Sequence, residues 1–369
     1  MPAVLDAATS VPPSNPALEG LTSMQFVHQM GLGWNLGNTM EACGDWIKSS
    51  QVSGFETAWG NPETTREMID GVKAEGFGSV RIPVAWSNLL GNNYTINPAL
   101  LERVRVIVDD VLAEGMIAMV NIHWDGGWWA KFPTAPEESM RHYTRLWSQI
   151  AEEFKDYPIQ LVFESLNEEG CFNDVWDRYG SKNMDQKRKA YDILNDINQN
   201  FVNLVRASGG VNSKRHLLIA GYSTDIGLTS DPLFLVPKDP AGRCSVSVHY
   251  YSPPTFAILE KDADWGKATR TWGTDAEIAV LERDMTTVKE WFVDRGVPVI
   301  VGEYGCPNKN KDPESVRLYL LKTAETSYRM GMCPMLWDAG GHFNRKTLRL
   351  EDPALGEGFR RILAMERDL

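Results

Sequence analysis

Residues 61 to 84, NPETTREMIDGVKAEGFGSVRIPV, decide the fold. They read as one helix handing over to one strand. Asn61 stands where a helix cap is expected, and Pro62 sits at the first helical position, where its missing N–H costs nothing. Met68, Ile69 and Val72 form an apolar stripe, Gly76 stops the helix, and the β-branched run at 79–84 reads as a strand.

The same grammar recurs outward from this unit. NPALLERVRVIVDDVLAEGMIAMVNIHW (97–124) repeats it with Asn97, Pro98 and Gly115 and a strand at 117–123. APEESMRHYTRLWSQIAEEFKDYPIQLVFESLNE (135–168) repeats it with Pro136 and a strand at 160–166. Further strands are expected at 32–36, 216–221, 245–250, 297–302 and 333–337, and helices at 185–207, 275–294, 313–330 and 353–366. Eight strands recur at intervals of roughly 30 to 55 residues, nearly every one followed by a helical pattern. No Pro/Ser linker divides the chain. The pattern predicts an α/β protein with a single (β/α)8 TIM barrel over 24–369. An open doubly wound sheet is the alternative, but no G-x-G-x-x-G follows a strand. Residues 1–23 open with MPAVLDAATSVPPSNPALEG, rich in small residues and Pro, and are expected to be a flexible N-terminal arm or the remnant of a removed signal.

The chain has 369 residues, enough to bury a large core without covalent staples. Its net charge of −12 argues against a nucleic-acid or anionic-membrane partner, both of which need a basic patch. No apolar run reaches membrane length. Thirteen Trp and eleven Tyr suit both core packing and a sugar-binding cleft, because flat rings cover the apolar faces of pyranoses. Five scattered Cys without a C-x-x-C point to buried free thiols.

In such a barrel the strand C-termini form the active face. Trp34, Asn35 and Asn38, then Arg81, His123 and Trp124, Asn167, Glu168 and Glu169, His249, Tyr250 and Tyr251, Glu303, and Trp337 with Asp338 all fall there. A lone polar residue at a strand end is usually structural; so many together are harder to dismiss. Two carboxylates from opposite sides of a small barrel can flank one bond, as glycoside cleavage requires. The six His are dispersed without an H-x-H, no calcium loop is recognisable, and G-x-S-x-G is absent. No cofactor and no metal are expected.

GWNLGN (33–38), ETAWGNP (56–62), VRIPVAW (80–86), IHWDGGWW (122–129), FESLNEE (163–169), SVHYYSP (247–253), VGEYG (301–305) and LWDAGG (336–341) together resemble glycoside hydrolase family 5. The likeness is nearest to its bacterial endo-β-1,4-glucanases and xyloglucanases. The resemblance implies that Glu168 is the general acid/base and Glu303 the nucleophile of a retaining reaction, with Arg81, Asn167, His123, His249 and Tyr251 around them. It also implies that Trp337 stacks under the sugar next to the scissile bond, aimed by a cis peptide to Asp338. Asn38, Trp128, Trp129, Trp176, Trp265 and Trp272 are expected at further sugar subsites. The family commonly has Pro after the acid/base, where this chain has Glu169, expected near the loop surface or as support behind Glu168. Glu164 is expected to be hydrogen-bonded inside the barrel. The pKa of Glu168 is expected to be raised by Glu303 and by partial burial. The substrate expected is a β-glucan: cellulose or carboxymethylcellulose, lichenan and, as a further option, xyloglucan. A β-mannanase and a non-catalytic carbohydrate-binding barrel are the alternatives. A secreted single chain acting as a monomer completes the expectation.

Overall fold

The computed structural model describes residues 11–170 and 172–367. Eight strands, β1 (Gly33–Leu36), β2 (Ser79–Ile82), β3 (Ile117–Asn121), β4 (Leu161–Glu164), β5 (Leu217–Ala220), β6 (Cys244–Tyr250), β7 (Val299–Tyr304) and β8 (Cys333–Asp338), close into a parallel barrel in chain order. β8 returns to β1 with Gly33 opposite Met335 and Asn35 opposite Trp337. Every strand overlaps the position expected from sequence. The strands are buried on both faces, which is why they read as continuous β-branched runs rather than as alternating ones.

The major helices, Arg66–Ala74, Pro98–Ala113, Pro136–Glu153, Met184–Ala207, Asp275–Trp291, Pro313–Arg329 and Pro353–Leu363, form the outer ring. Asn97 caps its helix by accepting from Ala99 N with Pro98 in the first turn, as expected. Asn61 does not. The helix after it starts at Arg66 with Thr65 as cap. The Asn61 amide instead donates to the carbonyls of Gly37, Asn38 and Ala339, tying the loop after β1 to the loop after β8. A tertiary role outbid the local capping signal.

The barrel floor is sealed by Phe26 and Val27 of the helix Ser23–Gln29 and by Met30 at its C-terminal cap, packed against Ile117, Val162, Leu218 and Ile300. This corrects the expected arm. Residues 16–19 form a short helix whose Leu18 joins the same cluster, so the chain is packed well before residue 24. Residues 1–10 of that arm lie outside the described residues. Cys244, Cys306 and Cys333 are buried free thiols and Cys43 is a half-buried one; Cys171 lies outside the described residues. No described helix is long and apolar enough to cross a membrane.

Candidate active site

The polar centre of the barrel mouth is built around one cation. Arg81, at the third position of β2, is completely buried. Its Nε and Nη2 clasp both oxygens of Glu164 at 2.6 and 3.2 Å. Nη1 donates to Glu303 Oε1 at 2.7 Å and to Asn35 Oδ1 at 2.9 Å, and Nη2 to Asn167 Oδ1 at 2.7 Å. All five guanidinium hydrogens thus have acceptors. Burial alone would lower the Arg81 pKa; Glu164 and Glu303 outweigh it and raise it further. Glu164 is the barrel-interior carboxylate expected from sequence.

Glu303 is placed by an irregularity. In the β6–β7 register Val248 faces Val301 but His249 faces Glu303, so Gly302 is the extra residue of a bulge. A Cβ on Gly302 would stand 2.9 Å from Ser247 Oγ and 3.1 Å from His249 Nε2, so only glycine lets these strands approach. The freed Gly302 carbonyl accepts from Asn35 Nδ2 at 2.9 Å. Tyr251 Oη donates to Glu303 Oε2 at 2.9 Å. Burial, then Glu303 and Glu168, push the Tyr251 phenol far above its ordinary range, so it remains a donor.

His249 joins the two outer carboxylates. Its Nδ1 lies 2.7 Å from Glu168 Oε1 and 3.6 Å from Glu303 Oε2. One oxygen of Glu168, one of Glu303 and a His249 nitrogen all lie within 4.8 Å of one another. The Glu168 side chain is 48% exposed and Glu303 only 6%, so one carboxyl faces the cleft while the other is held in the wall. Burial pushes the Glu168 pKa up, but the hydrogen bond from His249 and the charges of His249 and Arg81 win, and the net shift is downward. This reverses the expected direction. The negative charge of Glu303 alone would raise the pKa, but the fold puts an imidazole between the two carboxylates.

His123 is buried, and desolvation followed by Arg81 depresses its pKa to about 3, which keeps it neutral. Its ring lies parallel to Trp337, 7° between planes and 5.7 Å between centroids. That stacking aims Trp337. The expected cis bond to Asp338 is absent: the one cis peptide among the described residues is Ser252–Pro253. Asp338 instead anchors the loop after β8, accepting from the backbone N–H groups of Gly340, Gly341, His342 and Phe343 and from Trp34 Nε1. Asn38 turns with φ 56°, and its carbonyl accepts from Asn61, so it shapes the loop after β1.

A cleft of about 790 Å³ opens over this centre, lined by His123, Asn167, Glu168, Tyr251, Glu303 and Trp337 and walled by the loops after β6, β7 and β8. The expected subsite tryptophans divide. Trp265 is 60% exposed on the loop after β6, outside the residues that line the cleft. Trp176 and Trp272 are core residues, packed on Tyr191 and Tyr222 and on Tyr319 respectively. Trp129 is buried, and one face of Trp128 is covered by His142 at 4.0 Å. Neither is a free sugar platform. Glu169 is buried as well, not at the loop surface. Its Oε2 has no partner, and burial, then Glu168 and Glu164, raise its pKa well above the ordinary carboxyl range. Sequence reasoning left Trp124 without a role, although its place directly after His123 was a signal.

Comparison with known proteins agrees with this geometry. Residues 40–342 match the family described as cellulase (glycosyl hydrolase family 5). The chain is 35% identical over 356 residues to endoglucanase B of Clostridium cellulovorans, covering 93% of this chain and 76% of that one. It is 34% identical to a xyloglucan-specific endo-β-1,4-glucanase of Bacteroides ovatus, covering 89% and 67%. A lichenase of Caldicellulosiruptor sp. F32, solved with cellotetraose, superposes with a TM-score of 0.85 at 29% identity, covering 98% of this chain and 99% of that one.

Proposed function

This chain belongs to the cellulase family, glycosyl hydrolase family 5, and from that premise we propose that Glu303 and Glu168 perform a double displacement on β-1,4-linked glucans. The activity is that of an endo-β-1,4-glucanase, in keeping with its endoglucanase, lichenase and xyloglucanase relatives. The observation that carries the double displacement is the approach of the two carboxylates to within 4.8 Å around His249. Such closeness suits direct attack on the sugar, because an inverting pair stands roughly 6.5–9.5 Å apart to hold a water between them.

In the first step Glu303 attacks the anomeric carbon as the Glu168 proton passes to the glycosidic oxygen, and the leaving chain departs with that proton. Arg81 and Tyr251 orient Glu303, each donating a hydrogen bond to one of its oxygens. A sugar in the cleft excludes water around Glu168, strengthening the desolvation that raises its pKa and helping it hold the proton until it is needed. Once Glu303 is esterified its charge is gone. Glu168 then takes a proton from the incoming water, helped by the His249 contact that favours its ionised form on that return. The second displacement restores the β-configuration. The Asn167 oxygen is held by Arg81, which leaves its amide hydrogens for the sugar 2-hydroxyl.

The single chain is taken as the acting unit because every group of this site comes from one barrel. The reading includes action outside the cell, since a polymeric glucan does not cross membranes. The test is a panel of carboxymethylcellulose, lichenan, xyloglucan and mannan read by reducing-sugar release. Cleavage of the glucans supports the reading. Cleavage of mannan alone would replace it with a mannanase, and no release from any polymer would replace it with a binding barrel.

A further inference from the structure

The loop WDGGWW, residues 124–129, holds a large ring in water by means that a surface loop does not need. Trp124 is 51% exposed, yet its surroundings are built. Asp125, Gly126 and Gly127 have φ of 50°, 76° and 73°, three consecutive left-handed residues. A non-glycine residue held there is uncommon and points to function when the surroundings over-determine it. They do so here. The buried Asp125 carboxylate accepts from Ser87 N, Ser87 Oγ and Trp128 Nε1, each at 2.7 Å. The ring of Trp124 lies against Gly127, where a Cβ would come within 2.7 Å of Cζ2 and 3.2 Å of two further ring atoms. Trp129 abuts it edge-on, with centroids 5.3 Å apart and planes at 85°, and donates from Nε1 to the Trp124 carbonyl at 3.2 Å.

The ring is therefore fixed before any ligand arrives, and a fixed apolar face loses little entropy on contact. It stands one residue beyond the cleft lining: the preceding residue, His123, lines the cleft and stacks on Trp337, while Trp124 itself lies outside that lining.

We propose that Trp124 is a stacking platform for a glucose unit of the β-glucan chain beyond the cleavage pocket, on the β3 flank, and that Gly127 is the residue that makes room for it. This rests on the glucanase reading above. An equatorially substituted β-glucopyranose presents apolar C–H faces that match an indole ring. The chain would run from the pocket over Trp124, lengthening the cleft by at least one subsite.

The experiment is steady-state kinetics on cellotriose through cellohexaose for the wild type, Trp124→Ala, Trp124→Tyr and Gly127→Ala. Trp124→Ala is expected to raise KM for cellohexaose roughly tenfold, with a smaller effect on kcat and a penalty that shrinks as the oligosaccharide shortens. Trp124→Tyr is expected to recover most of the loss, and Gly127→Ala to reproduce it by displacing the ring. Equal losses at every chain length, a loss confined to kcat, or an unchanged KM for cellohexaose would overturn the proposal. A wild-type chain that cleaves none of these oligosaccharides would overturn the glucanase reading first, and the platform with it.

Discussion

Replacing Arg81 by leucine removes the cation on which the barrel mouth is built. Arg81 and Glu164 are both fully buried, and Glu303 is nearly so. The substitution deletes five hydrogen bonds and leaves two carboxylates without their counterion. Breaking a buried ion pair from one side costs about 3–5 kcal/mol, most of it the penalty of the stranded charge. At roughly 2 °C per kcal/mol in a large domain, Tm is expected to fall by roughly 6–10 °C. Differential scanning calorimetry at a fixed scan rate reads this directly. The double variant Arg81→Leu/Glu164→Leu separates charge from packing. An apolar pair of similar volume is often as stable as the ion pair it replaces, so much of the lost Tm is expected to return. Activity is not expected to return, because Glu303 still lacks the Arg81 contact. A fall below about 2 °C for the single variant would refute the reasoning. So would a double variant no more stable than the single one, since the stranded Glu164 charge would then not be the cause.

Three further outcomes follow from the same geometry. His249→Ala removes the donor that lowers the Glu168 pKa, so the basic limb of the kcat/KM–pH profile, which reports loss of the acid's proton, is expected to move to higher pH; movement to lower pH would show that His249 does not hold Glu168 ionised. Glu169 binds its proton more tightly folded than unfolded, so its contribution to stability is present at low pH and is lost as pH rises from the ordinary carboxyl value toward the folded one; the Tm of Glu169→Gln is therefore expected to gain on that of the wild type between pH 5 and pH 8, and an equal difference at both would contradict this. Trp272→Ala is expected to cost about 3–5 kcal/mol, read in Tm, whereas Trp265→Ala is expected to act on KM for lichenan; the reverse pattern would restore Trp272 to the cleft.

The barrel was legible because its strands are buried on both faces, so that each is a compact β-branched run ended by a predictable helix signal. The carboxylates were legible for a related reason, since strand ends in this architecture converge and Glu168 and Glu303 each close a strand. Side-chain direction in loops was not. Trp128, Trp129, Trp176 and Trp272 lie in polar loops, and nothing in their neighbours' identity says whether an indole turns toward the cleft or the core. Asn61 carried a capping signal, yet three carbonyls from other loops claim its amide. Glu169 looked like loop surface because its burial depends on chain that returns from β5: Ser223 N donates to its carbonyl at 2.6 Å. The Glu168 pKa could not be read because its sign is decided by one imidazole, 81 residues away in sequence.

The central claim is the division of labour between Glu303 and Glu168, and azide rescue on an activated aryl β-cellobioside tests it most directly. Glu168→Ala is expected to retain much of the first step, because that leaving group needs little protonation, and then to stall as the glycosyl-enzyme for want of a base. Azide needs no base, so turnover is expected to return with the β-glycosyl azide as product, while Glu303→Ala remains without the covalent route. Rescue of Glu303→Ala to the β-azide, with Glu168→Ala giving the α-azide or staying inactive under the same conditions, would contradict the account by exchanging the two roles.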